Sequence, residues 1–297
     1  MNPTIRPFSW AAVAVATFVV GCNTAPTQTT TTQTAPTQTT PLRKETIHAL
    51  TQDLNLLTIN AGQPTRVLQT VALKGVPAGE TLIGIDYRVA KGVLFAMSRS
   101  GKVFTVNTDT GAVTQVGSAP IATALEGSTF GFDFNPAADR IRVVSNTGQN
   151  LRLHPDTGAL AAVDGALTFE AGDAQAGQKP QLLAAGYTYN KKDVKLTTNY
   201  AIDGSKGTLV RQGTVEGVQP AASPNTGRLF TVGALGIGPL TDASLDIADV
   251  SGAAFAALRT SAQAPTRLFL VNLESGRAEI LGNVGSGAAL VGIAVIP

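Results

Sequence analysis

The sequence predicts an all-β chain: a β-propeller of five four-stranded blades, closed by pairing of the C-terminal strand with the N-terminal blade. Three observations carry this. Residues 42–297 show short alternating apolar runs broken by Gly, Asn and Asp, and no long apolar stripe of period 3.6. A turn ending in Gly recurs five times. A strand of the Gly-Ile-Asp-Tyr type also recurs five times, offset from the turns so that a spare strand stands at one end of the domain and a gap at the other.

In chain order, residues 1–22 read MNPTIRPFSWAAVAVATFVVGC. Arg6 supplies a positive n-region, and Phe8 to Gly21 form a mostly apolar run of fourteen residues. This is short for a bilayer span, which needs about 20 residues, and it has the length of a secretory h-region. The run ends in Val19-Val20-Gly21-Cys22, which resembles the lipobox of bacterial lipoproteins. The resemblance implies cleavage before Cys22, with residues 1–21 as signal peptide and a lipid on the Cys22 thiol. It further implies an exported cell-envelope lipoprotein, sent to the outer membrane where the envelope has two. The alternative is an ordinary leader with Cys22 incidental, but Cys22 is the one Cys of the chain and stands where a lipobox needs it.

Residues 22–45 read as a lipidated Cys and a disordered tether. The stretch 23–41 holds ten Thr, three Pro, three Gln and no charge. It has too little apolar area to offset its chain entropy. The propeller domain is assigned to 46–297.

Within it, the turns are Asn60-Ala-Gly62, Asn107 to Gly111, His154 to Gly158, Ser223 to Gly227 and Asn272 to Gly276. Their glycines lie 49, 47, 69 and 49 residues apart, so the fourth unit carries an insertion. Each Gly supplies the positive φ that a bulged hairpin needs. The repeated strands are Gly84-Ile-Asp-Tyr87, Gly131-Phe-Asp-Phe134, Gly186-Tyr-Thr-Tyr189, Ser244-Leu-Asp-Ile247 and Gly292-Ile-Ala-Val295. The N-terminal unit lacks a leading strand, and Leu290–Ile296 completes it, which removes exposed sheet edges. Alternative architectures are a six-bladed ring, with a degenerate blade in 164–237, and an open β-sandwich.

The strings FGFDFNPAADRIRVVSNTGQNLRLHPDTG (130–158), SPNTGRLFTVGALGIG (223–238) and GIDYRVAKGVLFAMSRSGKVFTVNTDTG (84–111) carry a resemblance. They are similar to the bacterial domain-of-unknown-function family 4394. This implies a propeller-like extracellular domain with no assigned activity.

Composition narrows the function. A net charge of +2 offers no field for nucleic acid. One Cys allows no intrachain disulfide, and two His cannot build a three-His metal site. Neither a nucleophile elbow nor a phosphate-binding glycine loop is present, so no cofactor, catalytic residue or metal ligand is assigned. Asp86, Asp133 and Asp246 recur at one position of the inner strand. They read as axial carboxylates that fix blade spacing, with a central cation site or acid–base pair as the alternative. Arg140, Arg142, Asn150 and Arg152 lie on neighbouring strands and form the candidate ligand site, because guanidinium forks take carboxylates or phosphates. The alternative is a charge stripe paired with Asp139 and Asp156. The connections 164–181 and 213–226 are candidates for a rim over the axis.

These features predict a lipid-anchored, non-catalytic binding module whose partners are the membrane, through Cys22, and an envelope protein, a polymer or a small anionic ligand. The alternatives are an envelope hydrolase or lyase using the axial carboxylates, and a purely structural envelope protein. The Cys22→Ala variant loses palmitate labelling and leaves the membrane fraction; labelling that persists refutes the anchor.

Overall fold

The computed structural model describes Ala14 and residues 43–297. The signal peptide, the lipidation of Cys22 and most of the tether lie outside the described residues. The last tether positions belong to the domain. Ala61 N donates to Glu45 O at 2.9 Å, Asn60 Nδ2 to Lys44 O at 3.2 Å and Ser251 Oγ to a Glu45 carboxylate oxygen at 2.8 Å.

Twenty-one strands follow among the described residues. The first three are β1 (Thr46–Thr51), β2 (Asn55–Asn60) and β3 (Gln63–Ala72). The second blade is β4 (Leu82–Arg88), β5 (Val93–Ser98), β6 (Val103–Val106) and β7 (Val113–Val116). The third is β8 (Phe130–Asn135), β9 (Arg140–Ser145), β10 (Asn150–Leu153) and β11 (Leu160–Val163). A short β12 (Thr168–Phe169) precedes the fourth blade of β13 (Leu182–Tyr187), β14 (Asn199–Asp203), β15 (Thr208–Gln212) and β16 (Arg228–Ala234). The fifth is β17 (Asp242–Ile247), β18 (Ala254–Arg259), β19 (Arg267–Val271) and β20 (Ala278–Asn283), and β21 (Leu290–Val295) is last.

Each blade is an antiparallel meander. The first blade has the order β21-β1-β2-β3, so the final strand is the inner strand of the first sheet. Its register with β1 pairs Ile47 with Val295, His48 with Ala294 and Ala49 with Ile293. The inner strands touch in the cycle β4, β8, β13, β17, β21 and back to β4. The chain is thus a closed five-bladed propeller, and neither a sixth blade nor an open sandwich forms.

The apolar core follows the same count. Five buried clusters each fill one blade-to-blade interface. Leu50 and Leu56 meet Leu94 and Phe104 between the first and second blades. Phe95 and Met97 meet Phe132 and Phe134 between the second and third, with the Phe95 and Phe134 rings edge-to-face at 5.1 Å. Ile47, Ile59 and Ile293 meet Phe255 and Leu268 at the closing interface.

Four of the five recurrent turns end on a Gly at positive φ, namely Gly111, Gly158, Gly227 and Gly276, whereas Gly62 does not take it. Asn107 Oδ1 accepts from the backbone N–H of Asp109 and Thr110, and Asn272 Oδ1 does the same for Glu274 and Ser275. Such bonds explain the Asn and Asp of these turns without an ion. Gly111 adopts φ +74°, where a Cβ would lie 2.1 Å from Ala72 O.

The insertion does not sit over the axis. Strand β12 adds parallel to β16, the outer strand of its blade, and the Asp173 carboxylate accepts from Thr231 N. Segment 164–181 therefore lies on the outer edge of the blade, and the expectation of an axial rim there fails because unpaired β16 groups draw it outward.

Closure predicts a cost at its centre. Ile293 is 2% exposed. Ile293→Ala leaves a cavity between the first and last blades and lowers stability by about 2–5 kcal/mol in urea unfolding.

Candidate functional site

Strand register brings one residue from each blade to a common level. Asp86 pairs with Phe95, Asp133 with Arg142, Gly186 with Tyr200, Asp246 with Phe255 and Ala294 with His48. The fourth blade differs from the sequence alignment by two residues. Pairing of β13 with β14 puts Gly186, not Thr188, at the aspartate level, and Tyr187 stands where Phe134 stands.

An inner strand has one free edge, and its N–H groups face the axis with no strand to receive them. The aspartates receive them. Phe134 N donates to Asp86 Oδ2 at 2.7 Å, Tyr187 N to Asp133 Oδ1 at 3.0 Å and Val295 N to Asp246 Oδ2 at 2.5 Å. Each of these bonds crosses to the next blade. Behind Gly186 and Ala294, where the preceding blade has no carboxylate, the strand's own aspartate serves. Ile247 N donates to Asp246 Oδ1 at 2.6 Å and Tyr87 N to Asp86 Oδ1 at 2.7 Å. Five donors thus meet five of six carboxylate oxygens. Asp133 Oδ2 has no hydrogen-bond donor among the described residues.

The three side chains are only 3%, 2% and 6% exposed, and one oxygen from each lies within 4.8 Å of the others. Burial first, and then the neighbouring carboxylates, push Asp86 and Asp133 well above the ordinary carboxylate range. Burial raises Asp246 to about 6 against its backbone hydrogen bonds. Such a group can hold a shared proton or a cation.

Space along the axis is uneven. A mouth of about 530 Å³ opens where the inner strands begin, lined by Gln52, Arg99, Ser128, Thr129, Asp242 and Arg259 among others. Thr129 Oγ1 is buried there without a partner. Below it a neck of about 20 Å³ is ringed by Gly84, Gly131, Ala184, Ser244 and Gly292. A Cβ on Gly131 would come within 2.6 Å of the Ala184–Ala185 backbone, so the small residues let the inner strands converge. A third cavity, of about 380 Å³, involves Phe134 and Tyr189 at the opposite end. Burial and then the charges of Asp86, Asp133 and Asp246 hold the Tyr189 hydroxyl protonated. The carboxylates line none of the three spaces.

The arginine cluster proves internal. Arg142 is 1% exposed and donates to Tyr187 Oη, Asn150 Oδ1, Asp164 Oδ2 and Asn225 Oδ1 at 2.6–3.1 Å. Asn150, 1% exposed, donates to Gly165 O, and Arg152 forks onto Asp164 at 2.7 and 2.8 Å. Arg140 stands apart and reaches Asp139 O. The expected anion site is therefore corrected: Arg142 and Asn150 are spent on Asp164 and the connection to the fourth blade. Asp139 and Asp156 pair with Arg88, which the sequence reading did not single out. His48 bonds Tyr87 Oη through Nδ1 at 3.0 Å, and burial lowers it to about 4. Asn225 and Ser244 were also missed. The signal for Ser244 was its place opposite Gly84, Gly131 and Gly292.

The Arg142 contacts predict a sharp contrast. Removing its guanidinium takes one of two cations from the Asp164 carboxylate, itself 5% exposed, and deprives Asn225 Oδ1 and Tyr187 Oη of this buried donor. Arg142→Ala lowers stability by about 3–5 kcal/mol in denaturant unfolding, whereas Arg140→Ala changes it by less than about 0.5 kcal/mol.

No curated protein matches this chain. Solved structures with a similar fold include a chain of the nidogen/laminin complex, at 10% identity and TM-score 0.47, covering 85% of this chain and 98% of that one. A structural genomics protein of unknown function from Bacteroides thetaiotaomicron aligns at 12% identity and TM-score 0.46 over 80% of this chain and 55% of its own. Glutaminyl cyclase of Myxococcus xanthus aligns at 12% and 0.43, over 76% and 95%. The model of the domain of unknown function DUF4394 matches residues 55–294, from β2 of the first blade into the strand that closes the ring, and the chain belongs to that family.

Proposed function

We propose that this chain is a binding module without catalysis, held at the cell envelope by a lipid on Cys22, that takes a small polar ligand in its axial mouth. The mouth carries the reading: about 530 Å³ is within the range of small-molecule sites. Its polar groups come from different blades, and the buried Thr129 hydroxyl has no partner among the described residues. An unmet buried hydroxyl is costly unless something arrives to bond it.

The charge of the mouth selects the ligand class. The lining holds two cations, Arg99 and Arg259, and two anions, Glu80 and Asp242; Asp242 lies 3.6 Å from Arg259, and Glu80 pairs with Lys102 at 2.8 Å. Both guanidinium groups also hold backbone carbonyls, Arg99 those of Leu125 and Gly127, Arg259 those of Ala262 and Ala264. A balanced rim of this kind fits a neutral or zwitterionic molecule better than the anion that the arginine cluster led one to expect. The envelope anchor rests on the sequence of residues 1–22. The enzyme alternative gains little, because a neck of about 20 Å³ separates the mouth from the carboxylates and passes nothing larger than water or an ion.

Thermal-shift screening of the full chain against free amino acids, short peptides and neutral polyols tests this. At least one raises the melting temperature. Ala243→Trp, which fills the mouth, abolishes the shift, and Thr129→Val weakens binding about tenfold, the range for one buried hydrogen bond. A shift that survives Ala243→Trp, or none with any of the three classes, refutes the reading.

A further inference from the structure

We infer that the axial ring of Asp86, Asp133 and Asp246 holds one hard divalent cation, of the calcium or magnesium class, at the centre of the propeller. The inference goes beyond the mouth and does not depend on it.

The first ground is geometry. One oxygen from each carboxylate lies within 4.8 Å of the other two. Three oxygens surround one calcium ion at its bond lengths when they lie within about 4.5 Å of one another, and one magnesium ion within about 3.6 Å, so an adjustment of a few tenths of an ångström at most seats calcium. Carboxylate oxygens are the ligands these cations select.

The second ground is the unspent acceptor. Asp133 is 2% exposed, and Tyr187 N bonds its Oδ1. Its Oδ2 has no donor among the described residues. The five inner-strand N–H groups account for the remaining oxygens, so capping the sheet edges does not explain this one. Each capped oxygen keeps a second lone pair for a metal.

The third ground lies one layer away. Ser244 stands two residues before Asp246 on β17, about 6.6 Å along the strand. Its Oγ is buried without a partner and borders the neck of about 20 Å³. That volume accommodates one water. Calcium needs six to eight oxygens, and the carboxylates supply three to six, so a water in the neck can complete the shell while bonding Ser244.

Charge points the same way. Three buried carboxylates have no Lys or Arg ion pair among the described residues, and an isolated buried charge is expensive. The competing solution is protons shared within the ring.

Elemental analysis and melting of the full chain decide between them. After chelator treatment at pH 8, dialysis against calcium or magnesium chloride returns about one ion per chain. The melting temperature rises with the concentration of that ion and falls with chelator, as linkage requires. Asp133→Asn keeps an oxygen for Tyr187 N but loses the free carboxylate oxygen. It weakens ion binding at least tenfold and flattens the dependence of melting on the ion, and Asp246→Asn does the same. If either variant fails to fold, the wild-type stoichiometry and chelator response still decide. A wild-type chain that takes up no ion, melts identically with and without calcium, magnesium or chelator, and is stabilised at pH 8 by Asp133→Asn holds protons instead, and the inference is overturned. Loss of ligand binding at the mouth with the ion retained would refute the proposed function alone.

Discussion

Five backbone N–H groups pointing at one axis are the constraint on which the rest of this molecule depends. A closed ring of sheets leaves each blade a short outer edge and gathers the inner edges at the centre. Each inner strand there presents a free edge too far from water to be hydrated and too crowded for another strand. Three aspartates resolve it by reaching sideways. Because Asp86, Asp133 and Asp246 each bond the following blade, the caps also set the spacing and order of the inner strands.

The apolar packing depends on this arrangement. Five clusters fill five interfaces, and each draws residues from two blades. Neither half of an interface can bury its apolar face alone, so the stability of each sheet rests on its neighbours. The buried Arg142 performs the corresponding task among polar groups. It joins β9 to Asp164 and Asn225 across the longest insertion, where apolar contact is thinner.

Much of the fold was legible because repetition makes the same statement five times. The Gly-ended turns gave the blade count, and the spare C-terminal strand gave the closure. The axial level of Asp86, Asp133 and Asp246 was legible for the same reason. The fourth blade was misaligned because its inner strand reads Leu-Leu-Ala-Ala-Gly-Tyr, with no aspartate to mark the register, and Gly186 offered a false match two residues late. The fate of Arg142 was not legible. Its partners, Asp164 and Asn225, are 22 and 83 residues away, and no local pattern reports a contact at that distance. Thr129 carries no motif at all, and Ser244 is marked only as the odd residue at the glycine position of the repeated strand; the significance of both comes from a void that exists only once the ring is closed.

The fourth and first blades carry Gly186 and Ala294 at the carboxylate level, and this imperfection limits how alike the units can be. Five identical modules would bring ten oxygens and five negative charges to a centre with five amides to satisfy. The surplus would be uncompensated repulsion. A ring of this kind therefore works with fewer carboxylates than blades, and the unlike residues Gly186 and Ala294 keep the charge at its centre within what five amides can hold.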